Sequence, residues 1–431
     1  METSVLDHRL RLIQQASMQG KIVLVRVDHN VVKKGKIQDP YRIDVSFKTL
    51  YAIVEKGGRP ILMTHVGRPR DKKTGKIECK ESESVLPIIQ YLEAKLPIKI
   101  ALPDLPIDPQ WGITPLNDSL TGYIQDLRAG KVGMLYLPNI RWFQGEEASG
   151  PEREGFVTWL AGQADLYVNE AFSSWQAHGS TYDIAKLLPS YAGFQLQEEL
   201  LNMHKVLDPK RPFVAVIAGA KYDTKIGPLK DLHKRADHLI LGGVMYNVYI
   251  SAKCQVSISG VAEEERAQAR ELVELEEKEK KIIEIPRLVE SEVPKEKREG
   301  QYRTIHAGDI KRGDTFHYIL DMDPQSLQDE RIRGIIGSAK TIFVNAVMGL
   351  TPPFFEGTQS LYRLIASNKE AMKLFAGGDT LQELRNLCPD VYLSGMDAPD
   401  YYYFTGGGSV LTSLERGSPY QLKAIEALME G

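Results

Sequence analysis

Residues 21–30, KIVLVRVDHN, run apolar and β-branched and then stop in Arg26, Asp28, His29 and Asn30. The same shape returns three times. GGRPILMTHVGRP (57–69) leads from Ile61-Leu62-Met63 to Thr64, His65, Gly67 and Arg68. KVGMLYLPNIRWF (131–143) leads to Asn139 and Arg141, and ADLYVNEAF (164–172) leads to Asn169 and Glu170. The intervening segments, such as SFKTLYAIVEKGG (46–58) and GFVTWLAGQAD (155–165), carry apolar residues at helical spacing and close on glycine or a turn. That alternation predicts βαβ units. Strands that are apolar throughout are covered by helices on both faces, so the sheet is expected to be mainly parallel, with ligands beyond its carboxyl ends.

Any one polar tail could equally cap a helix or close a turn. Taken together, Asp28, Asn30, His65, Arg68 and Arg141, with Arg42 from the loop DPYRID (39–44), would make a local basic cluster. Such a cluster suits a small phosphorylated or carboxylated anion, because guanidinium groups offer paired donors to oxyanions.

The second half repeats the plan with different strand ends. RPFVAVIAGAKYDTK (211–225), ADHLILGGVMYN (236–247), KTIFVNAVMG (340–349), KLFAGGDTLQEL (373–384) and YYFTGGGSVLTSL (402–414) each run from an apolar strand into a turn of small residues. Glycine lets backbone N–H groups approach a ligand, and a following helix adds its positive end, so these turns could cradle phosphates. Each turn alone reads as well as a simple tight turn, and neither a GxxxxGK[ST] loop nor a GxGxxG fingerprint is present. Asp379 beside Thr380 is a candidate Mg²⁺ contact, since that ion takes one or two carboxylates plus phosphate oxygens. Lys221 and Lys225, four apart, would share one side of a helix start, which can also be merely solvated.

Residues 262–281, dense in Glu and Lys, predict one exposed helix followed by a strand-like IIEIP, and 291–305 reads as a surface excursion. The 431 residues, 42% hydrophobic and 26% charged, supply core for two or three domains. A net charge of −3 gives no reason to expect a nucleic-acid or membrane partner, so an anionic ligand must be held by local charge. Cys79, Cys254 and Cys388 lie far apart and fit a reducing compartment. The amino terminus METSVLDHRLRLIQQ lacks a signal-peptide stretch and no apolar run approaches the ~20 residues of a membrane span, so a cytoplasmic location is expected.

VLVRVDHN, DPYRID, ILMTHVGRP, NIRWF, YVNEAF, IAKLLPSYAGF, AGAKYDTK, LILGGVMYN, FVNAVMG, AGGDT and FTGGGSV follow the order and approximate spacing of the phosphoglycerate kinase family. The chain resembles that family from about residue 20 to about residue 415. The resemblance implies two Rossmann-like α/β domains with mainly parallel sheets, joined by a hinge whose closure unites them. Residues 1–200, completed by 415–431, would take the 3-phosphoglycerate-like acid, and 201–414 would take Mg²⁺ with ATP or ADP. By position, Asp28, Asn30, Arg42, His65, Arg68 and Arg141 match substrate contacts. Gly219, Ala220, Lys221, Lys225, Gly243, Asn345, Gly378, Asp379, Thr380, Gly406, Gly407 and Gly408 fall on the nucleotide side. The resemblance further implies that Arg42, Lys221 and Lys225 act on the transferring phosphoryl, that Asp379 orients the metal, and that the enzyme is a glycolytic monomer.

The chain also departs from the family pattern. After VNEAF the family usually carries GTAHRAHAS, whose arginine contacts substrate phosphate. Here SSWQAHGS (173–180) keeps His178 and has no arginine, with Trp175 and Gln176 in the basic stretch. KVxDK becomes KYDTK, moving the acid to Asp223 and placing Thr224 after it. GPVGVFE becomes NAVMGLTPP, without the glutamate that usually meets the ribose. Three readings follow: a phosphoglycerate kinase with compensating contacts, a kinase of the same fold acting on another carboxylic acid, or a non-catalytic nucleotide-binding homologue. Joint retention of Arg42, Lys221, Lys225 and Asp379 favours catalysis.

Overall fold

The computed structural model describes residues 3–115, 117–219 and 225–430. Two compact units divide the chain: Met1–Leu201 with Pro419–Gly431, and Asn202–Ser418. The division falls inside one helix, Phe194–Leu207.

The main sheet of the first unit has six strands: β1 (Ile22–Arg26), β2 (Arg59–Met63), β3 (Ile100–Ala101), β4 (Met134–Tyr136), β5 (Leu166–Asn169) and β6 (Ser190–Ala192). Their order is β3-β4-β2-β1-β5-β6, and every pairing is parallel. All five residues of β1 are buried because helices cover both sheet faces. Helix Phe47–Glu55 presents Leu50 and Ile53 to Val23, Val25 and Leu62, and helix Leu86–Lys95 adds Ile88, Ile89 and Leu92 to the same core. Each such fully buried side chain contributes roughly 1.5–3 kcal/mol. The closing helix Lys423–Glu430 buries Ile425 and Leu428, and its Ala424 N–H donates to the Trp175 carbonyl at 3.2 Å.

The main sheet of the second unit has five parallel strands: β7 (Phe213–Gly219), β8 (His238–Gly242), β9 (Thr341–Asn345), β10 (Met372–Ala376) and β11 (Tyr401–Phe404), in the order β8-β7-β9-β10-β11. Helices Ile226–Arg235, Gly243–Cys254, Gly378–Leu387 and Gly407–Arg416 all start at the carboxyl ends of these strands.

Two sequence expectations change here. Residues 291–305 are more than an excursion, because Tyr302–His306 pairs antiparallel with Arg287–Ser291, which also pairs antiparallel with Tyr318–Met322. The pairing is anchored by buried Glu290, which accepts from Arg303 Nε (2.6 Å) and His317 N–H (2.7 Å). The strand begins after IIEIP, of which only Ile282 forms a single bridge, to Leu239. The charged stretch does form a helix, Glu263–Lys278, whose buried Glu276 accepts from His233 Nε2 (3.0 Å) and the Ile282 N–H (3.0 Å). Among the described residues no helix is long and apolar enough to cross a membrane.

Candidate active site

In the first unit the ends of β1, β2 and β4 bring Asp28, Asn30, His65 and Arg141 together, and the short helix Tyr41–Asp44 adds Arg42. Asp28 is 4% exposed, and Arg42 Nη1 lies 3.4 Å from each of its carboxylate oxygens. Oδ1 accepts that hydrogen bond, whereas Oδ2 is buried without a hydrogen-bond partner among the described residues. Arg141 is held by the Gly67 carbonyl (Nη1, 2.7 Å) and by Glu147 (Nε, 3.3 Å). Arg68 stands exposed, near enough to Arg141 to oppose its charge.

His65 reveals what this cluster lacks. Arg26 Nη2, which can only donate, points at His65 Nδ1 (3.1 Å), so Nδ1 accepts and a neutral ring carries its proton on Nε2. The ring is neutral because burial, reinforced by Arg141, Arg26 and Arg42, pushes its pKa well below the ordinary histidine range. Asn30 Oδ1 accepts from the Gly67 N–H (3.2 Å), which turns Asn30 Nδ2 toward His65 Nε2 at 3.1 Å. Two N–H donors then face each other. An acceptor oxygen from a bound anion is the group that would satisfy both.

Arg26 is 1% exposed. It donates to Ser180 Oγ (3.0 Å), Ser174 Oγ (3.4 Å) and the Val27 carbonyl (2.8 Å). Ser180 in turn donates its hydroxyl to Glu146 Oε1 (2.6 Å) and its N–H to Glu146 Oε2 (2.8 Å). A chain of hydrogen bonds thus runs from Glu146 through the 173–180 loop to His65. Burial pushes the Glu146 carboxyl up to about 7, against the pull of Arg26. His178 in the same loop is lowered to about 4, by burial first and then by Arg141.

A pH prediction follows from Glu146. A carboxyl whose folded-state pKa is raised binds its proton more tightly when folded, so stability falls as pH rises from the ordinary carboxyl range through about 7. Glu146→Gln removes that loss. Denaturant titrations should show the variant gaining on the parent by about 1–3 kcal/mol between pH 5 and pH 8. An offset unchanged with pH would refute the assignment.

In the second unit the ends of β7–β11 open onto one cavity of about 790 Å³, into which Gly219, Lys225, Gly243, Asn345, Gly378, Asp379, Thr380, Gly407 and Gly408 all project. Lys225 Nζ donates to Asn345 Oδ1 (2.6 Å), the Asn345 carbonyl (3.3 Å) and the Ala218 carbonyl. Asn345 Nδ2 donates to the Ala376 carbonyl (2.7 Å), so this one amide ties β9 to β10 and aims the lysine. Gly377 is required by its positive φ, and Gly219 lies against the lysine tip. A Cβ on Gly219 would sit 2.9 Å from Lys225 Nζ, and one on Gly377, at φ +106°, would sit 2.8 Å from Asn345 Nδ2. Burial lowers the Lys225 pKa to about 8, with Asp379 pulling the other way. Helix starts aimed at one cavity, with an ammonium and the Asp379 carboxylate beside them, suit phosphate groups.

A family model described as phosphoglycerate kinase matches residues 13–417. Curated relatives of that description include one from Chlamydia trachomatis, 34% identical over 417 residues (94% of this chain, 96% of the relative). Another, from Methylorubrum populi, is 35% identical over 422 residues (95% and 96%). The chain belongs to the phosphoglycerate kinase family. Its members are phosphotransferases that use ATP or ADP and a carboxylate acceptor. Solved phosphoglycerate kinases from Coxiella burnetii (TM-score 0.73, 24% identity, 98% of this chain and 99% of that one) and Pyrococcus horikoshii (0.71, 20%, 97% and 98%) share the fold.

Ala220, Lys221, Asp223 and Thr224 lie outside the described residues. Gly406 caps the helix Gly407–Arg416 and does not line the cavity. Asn139 in the third polar strand tail, and Asn169 and Glu170 in the fourth, take structural hydrogen bonds. Asn139 is consumed by Val66, Glu83 and Arg141 backbone groups, while Asn169 closes a turn onto the Ala171 N–H (2.9 Å) and Glu170 takes the Leu196 N–H (3.1 Å). His29 is locked between Tyr136 and Ser46. Arg26 and Glu146 went unassigned in the sequence. The available signal was an arginine inside an otherwise apolar strand.

Proposed function

We propose that this chain catalyses the phosphoglycerate kinase reaction. A carboxylate oxygen of 3-phosphoglycerate attacks the terminal phosphorus of Mg-ATP, its bond to phosphorus forming as the bond to the ADP oxygen breaks. ADP and an acyl phosphate leave, and the reverse direction makes ATP. The observation that carries the reading is the convergence of Lys225, Asp379 and four helix starts on one cavity. Such transfer needs positioning and charge compensation far more than covalent help.

At the acid end, the unpartnered Asp28 Oδ2 suits a substrate hydroxyl, and the surplus donors of Asn30 and His65 suit an anionic oxygen. Arg42 neutralises charge on the carboxylate and the arriving phosphoryl. Arg141 and the exposed Arg68 supply cations for the substrate phosphate. At the nucleotide end Lys225, with Lys221 by family position, holds the transferring group. Asp379 fits a Mg²⁺ that completes its shell with phosphate oxygens and water, and such an ion would neutralise phosphate charge. The same reading makes this a cytoplasmic, monomeric glycolytic enzyme, which light scattering and cell fractionation would check.

The test is Mg-ATP consumption against a panel of small carboxylates, with hydroxylamine trapping of the acyl phosphate. Clear preference for 3-phosphoglycerate is expected. Preference for another acid would transfer the fold to a different substrate, and no trapped product from any acid would end the kinase reading.

A further inference from the structure

Asp379 and Glu383 lie four residues apart on helix Gly378–Leu387, and both line the nucleotide cavity. One helical turn, about 6 Å along the axis, therefore separates the carboxylate beside Lys225 from a second one on the same wall. Two like charges at this spacing are mildly unfavourable in a helix, and Glu383 lies beyond the first turn, where the helix dipole would welcome an acid. Its environment is specific. Thr351, from the segment after β9, lines the same cavity beside it, and the carboxylate accepts from Asn386 Nδ2 at 3.5 Å.

A carboxylate in a phosphate-binding cavity must face an uncharged portion of the ligand, since next to phosphate it would repel. If the phosphates end at Lys225 and the glycine turns, with a cation at Asp379, the group one helical turn away is the sugar. A carboxylate has two oxygens and accepts only, which matches a vicinal diol that donates twice. We infer that Glu383, beside Thr351 on the cavity wall, accepts hydrogen bonds from the ribose 2′- and 3′-hydroxyls and makes this enzyme prefer ribonucleotides. This inference rests on the kinase reading of the cavity.

Calorimetric titration of the full chain with Mg-ADP, Mg-2′-deoxyADP and Mg-3′-deoxyADP tests it, using the parent, Glu383→Ala and Glu383→Gln. A hydrogen bond to a charged group predicts that the parent favours ADP over at least one deoxy analogue by about tenfold or more. Glu383→Ala should weaken ADP by a similar factor and leave that analogue nearly unchanged, so discrimination collapses. Glu383→Gln, which keeps one acceptor, should fall between. Equal weakening of all three nucleotides, or no weakening, would overturn the inference while leaving the kinase reading intact. No heat with Mg-ADP in the parent would overturn both.

Discussion

Lys225→Ala should lower turnover a hundredfold or more while weakening Mg-ADP far less. The Lys225 ammonium is already aimed by Asn345 Oδ1 at 2.6 Å and by the Ala218 and Asn345 carbonyls. A cation fixed before the reaction loses nothing to reorientation as charge develops on the moving phosphoryl, and in a secluded cavity its field is weakly screened. A hundredfold loss corresponds to ~2.7 kcal/mol, the scale of removing one preorganised charge contact. Burial supplies a second signature. The lysine pKa is lowered to about 8, so the cation is present below that pH and lost as pH rises through it. kcat/KM, which reports the free enzyme, should therefore fall above about pH 8. Lys225→Arg stays charged throughout and should lose that alkaline limb whatever its absolute rate. Steady-state kinetics from pH 6 to 9.5 with parallel calorimetry would check both points. Near-parental turnover of Lys225→Ala would remove the lysine from the transfer step.

The positions of these groups were legible in the sequence to different depths, for physical reasons. A buried parallel strand must be apolar until it leaves the sheet, so the polar residues after Arg26, Met63 and Tyr136 and the glycines after β7–β11 mark one end of each sheet in the sequence itself. What each polar residue does there depends on its neighbours. Asn139 and Asn169 look as ligand-like in sequence as Asn30, but the Asn139 amide is engaged by nearby backbone groups and the Asn169 Oδ1 closes a turn. The Glu146–Ser180–Arg26 chain joins residues up to 154 positions apart, and no local periodicity records such a pairing. Glu383 was visible as the fourth residue after Asp379. On a helix that spacing is ordinary, and only the shared cavity and Thr351 separate it from a solvated face. The antiparallel strands between 287 and 322 were hidden differently. Tyr302–His306 is an exposed edge strand, so its outward residues carry no burial pattern.

Arg42→Ala should be the most damaging change at the acid end, with turnover again down by at least a hundredfold, ~2.7 kcal/mol. The guanidinium carries two loads that can be separated. In the proposed reaction it offers a forked cation to the attacking carboxylate, and it lies 3.4 Å from both oxygens of buried Asp28. Truncation therefore removes a contact to the reacting group and also leaves a buried carboxylate without its cation, which by itself destabilises the fold. Asp28→Asn in the Arg42→Ala background removes that orphaned charge. The double variant should regain stability in denaturant titration, since no charge is left unpaired. Turnover should not return, because neither the cation nor the hydroxyl acceptor has been restored. Arg42→Lys, which keeps the charge without the fork, should retain the Asp28 pairing and recover only part of the rate. Recovery of turnover along with stability in the double variant would mean that Arg42 serves only to neutralise Asp28, and its assignment to the phosphoryl-transfer step would fall.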